Sequence, residues 1–267
     1  MRKPLIVGNW KMNTTLSDAT VLVTQIKNAI EELEADIVLC PPFTWLVPLN
    51  DLLEHVPENL SLGAQNMWFT DKGPITGEIS PLMLKNLVKY VILGHSERRF
   101  HFGESNALIN DKIHAALAHG IKPILCVSEL KKMQDEKRGR GRPTEVELRS
   151  DVFQQLKMGL KGIGEHDITN VTIAFEPVWA ISTTSGTKGA ASGVYAGSVM
   201  NLLKSYIGEK YGIEQAADVT MLYGGSVDAG NVAEFLYQPE IDGVLVGGAS
   251  LKASEFLKMC NIAGGPD

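Results

Sequence analysis

Residues 171–179 read V-T-I-A-F-E-P-V-W, an apolar run that ends in a carboxylate, Glu176, followed by Pro177. An unbroken apolar run, in place of an alternating one, is typical of a parallel strand that is buried on both faces. A proline disfavours helical backbone at the residue before it, so Glu176 is expected to stay extended at the end of the strand. The stretch therefore predicts a buried parallel strand with an acid at its carboxyl end.

Seven other short runs share this apolar, β-branched character: L-I-V (5–7), I-V-L-C (37–40), L-S-L-G-A (60–64), Y-V-I-L (90–93), P-I-L-C-V (123–127), V-T-M-L-Y (219–223) and G-V-L-V (243–246). Helical patterns lie between them, for example over 19–33 and over 106–120, where the second ends at a glycine suited to a C-cap. Eight β/α units in one chain predict an α/β fold, a closed (β/α)8 TIM barrel of eight parallel strands surrounded by helices, as one domain over 1–267. A doubly wound open sheet is the alternative.

Composition is ordinary for a soluble globular protein and unlike that of a disordered or membrane chain. The chain is 44% apolar with a net charge of -6, so it has no general attraction for nucleic acid, and no apolar segment is long enough to span a membrane. The N-terminal apolar run is too short for a signal peptide. The three cysteines, Cys40, Cys126 and Cys260, are far apart and odd in number, which predicts a reduced, cytoplasmic protein without disulfides or a cysteine metal site.

One charged stretch departs from this balance. Residues 131–142, K-K-M-Q-D-E-K-R-G-R-G-R, carry six Lys or Arg against two acids, a local charge of 6 - 2 = +4. No aromatic residues alternate with the cations, so a solvated surface insertion is favoured over a site for an anionic partner.

Polar residues follow five of the predicted strands. They are N-W-K (9–11), G-H-S-E-R-R (94–99), E-P-V-W (176–179), Y-G-G-S (223–226) and G-G-A-S (247–250). In a parallel barrel the carboxyl ends of all strands meet at one rim, where active sites are built. Taken alone, Glu176 would be a structural ion pair, His95 a satisfied structural residue and Lys11 a surface lysine; a shared rim makes a catalytic group the better interpretation.

The glycine pairs after the last two strands indicate the kind of substrate. Gly224, Gly225, Gly247 and Gly248 have no Cβ, so backbone N–H groups there can approach an anion closely. Each pair alone could be an ordinary tight turn. Both pairs together predict a small phosphorylated substrate, because loops after strands 7 and 8 form a phosphate site in many barrels.

These motifs in this order resemble the triosephosphate isomerase family over nearly the whole chain. They are G-N-W-K-M-N (8–13), G-A-Q-N (63–66), T-G-E-I-S (76–80), G-H-S-E-R-R (94–99), F-G-E-S (102–105), A-F-E-P-V-W-A-I (174–181), Y-G-G-S-V (223–227) and D-G-V-L-V-G-G-A-S-L (242–251). The resemblance implies interconversion of dihydroxyacetone phosphate and D-glyceraldehyde 3-phosphate through an enediolate, with no metal and no organic cofactor.

The resemblance also implies residue roles. Glu176 would be the general base and His95 the electrophile and proton shuttle. Lys11 would stabilise the developing oxyanion electrostatically and Asn9 would donate a hydrogen bond to a substrate oxygen. Glu97, which matches the acid beside the lysine and histidine, would support catalysis, with a purely structural ion pair to a cation such as Lys11 as the alternative.

Further matches concern the phosphate and the assembly. Ser182, Ser226, Gly247 and Gly248 match phosphate-binding positions, and Thr76 matches a loop that enters a neighbouring subunit, which implies a homodimer or a larger assembly of dimers.

The chain departs from the family's pattern in two places. After W-A-I the family usually reads G-T-G, whereas this chain has a longer segment, S-T-T-S-G-T-K-G-A, over 182–190, so the phosphate contact of the lid is expected at Ser182 or shifted toward Gly186. Ser128 stands where the family usually has glycine. Two other classes stay open: a different phosphate-binding barrel enzyme, and a catalytically silent scaffold that binds a partner through 131–142.

Overall fold

The computed structural model describes residues 3–30, 33–129, 144–180 and 191–264. Eight strands form one parallel, closed barrel in the order β1 to β8, and β1 pairs with β8 to complete it. The prediction of a closed barrel is confirmed, and the open doubly wound sheet is wrong. The strands are β1 (Leu5–Asn9), β2 (Asp36–Cys40), β3 (Leu60–Ala64), β4 (Tyr90–Leu93), β5 (Lys122–Ser128), β6 (Thr172–Glu176), β7 (Met221–Tyr223) and β8 (Gly243–Val246).

Side chains along each strand alternate between two cores. One is a small cluster inside the barrel, which includes Cys126 and Ala174, and the other lies between the strands and the helices and includes Val127 and Phe175. Because side chains two residues apart share a face, the residues that follow Cys126 and Ala174 by two positions also face the barrel axis, at its upper rim. The rim is thus an extension of the inner core.

The helices wrap the outside of the barrel. They are α1 (Leu16–Lys27), α2 (Leu46–Leu52), α3 (Pro81–Leu84), α4 (Ser96–Phe102), α5 (Asn106–Ala118), α6 (Glu145–Gly159), α7 (Gly193–Tyr211), α8 (Ile213–Asp218), α9 (Val232–Leu236) and α10 (Ala253–Ala263). Across these described ranges no helix combines the length and the apolarity that crossing a membrane needs.

Two predicted boundaries were wrong for identifiable reasons. Helix α1 starts before residue 19 because Thr15 and Asp18 form a capping box, in which each side chain accepts a backbone N–H of the other residue, and it ends at Lys27, well short of residue 33. Strand β7 starts at Met221 because Val219 still caps α8. Helix α5 ends close to the prediction, and Gly120 after it has a φ of 73°.

Candidate active site

Four side chains from three strand ends form one connected group at the rim, which we call the catalytic cluster: Lys11, His95, Glu97 and Glu176. Lys11 Nζ lies 2.5 Å from Glu97 Oε1, and His95 Nε2 lies 2.9 Å from Glu176 Oε1. Glu97 Oε2 lies 3.7 Å from His95 Nδ1, so the lysine and the histidine are both neighbours of the Glu97 carboxylate. The structure thus brings together residues that are scattered along the sequence.

Glu176 is the last residue of β6, and its side chain is only 1% exposed. Its Oε2 accepts the backbone N–H of Ser96 at 2.9 Å, while Oε1 faces His95 Nε2. Burial by itself raises the pKa of Glu176, but the contacts with His95, the Ser96 N–H and the charge of Lys11 together lower it below its ordinary value of 4.5. The carboxylate is therefore charged at neutral pH although it is buried.

His95 holds a defined tautomer because it is the N-cap of α4. Its Nδ1 accepts the backbone N–H of Glu97 at 3.2 Å, a role that requires an unprotonated nitrogen. The proton of a neutral ring then sits on Nε2, which points at Glu176. The ring can consequently donate a proton from Nε2.

Lys11 follows β1 in a left-handed backbone conformation, with a φ of 53°. Such a conformation costs energy for a residue with a side chain and persists where the surroundings fix it. Asn9 Oδ1 accepts the Lys11 N–H at 3.1 Å, and Gln65 Nε2 donates to the Lys11 carbonyl at 2.8 Å and to the Cys40 carbonyl at 2.9 Å. Gln65 was not among the predicted site residues, although it follows β3 in G-A-Q-N and the strand-end pattern could have identified it.

A second residue that the sequence did not indicate, Arg99, anchors α4 below the rim. Its guanidinium donates to the carbonyls of Gly94, at 2.6 Å, and Cys126, at 3.0 Å, and to Asn106 Oδ1 at 2.6 Å. Burial lowers the pKa of Arg99 to about 10, and Glu176 is among the acids that counter this effect, so the guanidinium stays charged at neutral pH. Gly94, with a φ of 70°, leaves the room that Arg99 needs, because a Cβ there would lie 2.7 Å from Arg99 Nη2.

Beside these residues lies a second group, which we call the support cluster: Asn66, Arg98, Glu104 and Lys112. Glu104 Oε1 accepts from Arg98 Nε at 2.7 Å and from Lys112 Nζ at 2.6 Å, and Lys112 also donates to Asn66 Oδ1 at 2.9 Å. The Lys112 side chain is only 1% exposed. Burial raises the pKa of Glu104, but the two cations outweigh burial and lower it. This cluster ties the segments after β3 and β4 to α5.

The predicted phosphate-binding turns lie next to the catalytic cluster. A Cβ on Gly247 would lie 3.5 Å from Lys11 Cε, which places this turn beside the lysine. A Cβ on Gly225 would lie 2.2 Å from the Tyr223 hydroxyl oxygen, so only glycine fits there, whereas Gly248 faces open space. The N–H of Ser226 donates to the Ala180 carbonyl at 3.4 Å. The Gly247 turn and the Lys11 side chain therefore lie side by side at the rim.

Some predictions fall outside the described residues. Ser182 and the rest of the segment 182–190 are among them, as is the basic stretch 131–142. Thr76 is described, and it lies exposed in the segment between β3 and α3.

Comparison with known proteins shows which sequences and structures this chain resembles. The sequence model of the family described as Triosephosphate isomerase matches residues 4–263. The curated triosephosphate isomerase of Thermoanaerobacter pseudethanolicus is 45% identical over 262 residues, which are 98% of this chain and 100% of that protein. The one from Chloroflexus aurantiacus is 44% identical over 261 residues, 97% of this chain and 98% of that protein. The crystal structure of triosephosphate isomerase from Bartonella henselae superposes with a TM-score of 0.82 at 34% identity, covering 98% of this chain and 99% of that one.

Proposed function

Because this chain belongs to the triosephosphate isomerase family, we propose that it interconverts dihydroxyacetone phosphate and D-glyceraldehyde 3-phosphate through an enediolate intermediate. The observation that carries the proposal is the catalytic cluster, in which a charged, buried carboxylate meets an imidazole N–H and a lysine at one rim. The pairing of a glutamate base with a neutral histidine is already known for this family and is transferred here by homology.

Glu176 is the proposed general base. It removes a proton from the hydroxyl-bearing carbon of dihydroxyacetone phosphate; the electrons form a C=C bond, and the neighbouring carbonyl oxygen becomes an oxyanion. Returning the proton to the other carbon gives the aldose. In the structure both carboxylate oxygens are held, by Ser96 N–H and His95, so Glu176 must exchange these bonds for contact with the substrate.

His95 and Lys11 are the proposed stabilisers of the intermediate. His95 Nε2 donates its proton to the developing oxyanion and then recovers a proton from the neighbouring hydroxyl, so the ring ends unchanged. Lys11 supplies positive charge, and Glu97 orients it across 2.5 Å. Asn9 uses Oδ1 on the Lys11 N–H, which leaves its amide N–H groups to donate to a substrate oxygen.

Phosphate binding is proposed for Ser226, Gly247 and Gly248, with Ser182 as a further donor from the segment outside the described residues. The position of Gly247 beside the Lys11 side chain supports this assignment, because one anion can then contact both the glycine turn and the lysine. No metal and no organic cofactor takes part in the proposed steps.

A homodimer of single barrels in the cytoplasm is proposed as the working form. Support for self-association comes from exposed apolar side chains near the exposed segment around Thr76, among them Ile75, Leu82 and Met83, and from Met12, which is 97% exposed. The three cysteines are free thiols, as in proteins of reducing compartments.

The test is a coupled isomerase assay on the purified chain with each triose phosphate in turn. We expect turnover in both directions, and a folded protein without turnover would overturn the proposal in favour of a binding or scaffold role. Running the reaction in D₂O tests the intermediate. Proton transfer through Glu176 exchanges with solvent and puts deuterium on carbon, whereas a direct hydride shift would leave the product unlabelled.

A further inference from the structure

One buried hydroxyl close to the catalytic cluster has no role in the proposed mechanism. Ser128 is the last residue of β5 and is fully buried. In the part of the chain that the structure describes, its Oγ has no hydrogen-bond partner. A buried hydroxyl without a partner destabilises the fold, so its presence calls for a state in which a partner reaches it.

The sheet register places Ser128 directly beside Glu176. The pairing of β5 with β6 aligns Cys126 with Ala174 and Ser128 with Glu176. Cys126 and Ala174 belong to the core inside the barrel, so Ser128 and Glu176, two residues on, share that inner face. β5 lies between β4 and β6, and the Glu176 side chain must therefore cross β5 to reach Ser96 and His95, which follow β4.

The backbone of Ser128 is fixed from outside the barrel. Gln155, on α6, accepts the Ser128 N–H at 2.9 Å and donates to the Ser128 carbonyl at 2.6 Å. Asp151, one turn earlier, accepts from the same Gln155 amide at 2.8 Å. With both backbone groups bound to α6, the hydroxyl stays at the inner face.

The backbone after β7 packs against the opposite side of Glu176. A Cβ on Gly224, after β7, would lie only 3.0 Å from Glu176 Cγ, so the backbone there already packs closely against the side chain. When the carboxylate leaves Ser96 and His95 to meet the substrate, the β5 side is the side with a free hydrogen-bond donor.

We propose that Ser128 is a positioning residue, whose hydroxyl donates a hydrogen bond to the Glu176 carboxylate after the latter has left the Ser96 N–H. This inference rests on the proposed isomerase function. The Ser128 hydroxyl replaces part of the hydrogen bonding that the carboxylate loses, and it orients the base toward the substrate. The other ionisable groups that face Glu176 are His95, Lys11, Cys126 and Arg99.

The test compares Ser128→Ala and Ser128→Gly with wild type, using kcat and KM for both triose phosphates across the pH range in which the protein is folded. Loss of one hydrogen bond to a charged group lowers kcat about fivefold, with KM changed less than twofold. Without the donor the carboxylate binds protons more tightly, so the acid limb of kcat moves to higher pH by about 0.5 to 1. We use kcat because it reports the enzyme–substrate complex, where the proposed bond exists.

Ser198→Ala, on the exposed face of α7, is the matched control and should leave both quantities unchanged. Ser128→Thr retains the hydroxyl and should recover part of the pH profile. Removing an unpartnered hydroxyl should not unfold the barrel, and thermal unfolding checks this. An unchanged kcat and acid limb in Ser128→Ala, alongside an active wild type, would overturn the inference but not the isomerase; an inactive wild type would overturn the proposed function first.

Discussion

The catalytic cluster and the support cluster contain similar groups at similar distances, but the acids at their centres have different partners. In the support cluster, Glu104 Oε1 accepts from two cations, Arg98 and Lys112, and any movement of the acid separates buried opposite charges. In the catalytic cluster, Glu176 accepts hydrogen bonds from a backbone N–H and an imidazole. Each of these donors can bond to another acceptor when the acid leaves. We therefore expect Glu104, with two cationic partners, to stay in place and Glu176 to be the acid that can move.

Helix α4 connects the two clusters through three consecutive residues. Glu97 contacts Lys11 at the rim, Arg98 contacts Glu104 in the support cluster, and Arg99 donates to carbonyls below the rim. Successive helical residues point about 100° apart, so one turn can serve all three directions. The two clusters are therefore attached to the same helix, although their proposed roles differ.

The largest expected effect is on catalysis, from Glu176→Gln. Glutamine keeps the size of the side chain but cannot accept a proton, so kcat should fall at least about 10²-fold while the protein stays folded. Glu165→Gln, in an exposed turn, is the control and should leave kcat unchanged. The coupled assay measures both, and a near-normal Glu176→Gln would remove the role of general base.

Glu104→Gln should break the support cluster and affect stability more than chemistry. It leaves Lys112 and Arg98 without their acid, and removing one partner of a buried ion pair costs about 3–5 kcal/mol of unfolding free energy. Urea unfolding at fixed protein concentration measures this loss, and kcat per folded molecule should change less than twofold. A large fall in kcat without loss of stability would show that the support cluster contributes to catalysis and not to stability.

The pH dependence of the unfolding free energy of Glu104→Gln gives a second test of the support cluster. The pKa of Glu104 lies below its ordinary value of 4.5, so its stabilising contribution is complete above about pH 4.5 and is lost as pH falls through the lowered pKa. The gap in unfolding free energy between wild type and Glu104→Gln should narrow over that interval, because a protonated glutamate resembles glutamine. A gap that stays constant down to the acid unfolding of wild type would contradict the ion-pair account.

The smallest effect is expected from Gln65→Met, which removes the donor to the Lys11 carbonyl without changing side-chain size much. The variant also loses the hydrogen bond to the Cys40 carbonyl, and the weaker hold on the left-handed Lys11 should lower kcat about fivefold. Gln25→Met, on the exposed face of α1, is the control. If kcat in Gln65→Met equals wild type, Asn9 alone suffices to hold the lysine.

The sequence predicts those site residues whose positions follow directly from the ends of the strands. Glu176 and His95 could be placed because eight apolar runs predict eight parallel strands, whose carboxyl ends share a rim. The strand-end pattern includes Gln65 as a residue, but the hydrogen bonds of Arg99 and Gln65 could not be predicted from the sequence. These bonds depend on backbone carbonyls that turns of the chain bring near. The missing partner of Ser128 likewise depends on packing in three dimensions, since no spacing pattern shows which donors stay unused.

The closeness of Gly247 to Lys11 also has a consequence in time. A ribosome makes Lys11 well before the glycine turn at Gly247, and β8 must pair with β1 before the two meet. Lys11 and Gly247 are therefore brought together only after β8 has been made and has paired with β1, although local β/α units can form earlier. A chain that stops before β8 therefore contains Lys11 and His95 but lacks the glycine turn that lies beside the lysine in the complete barrel.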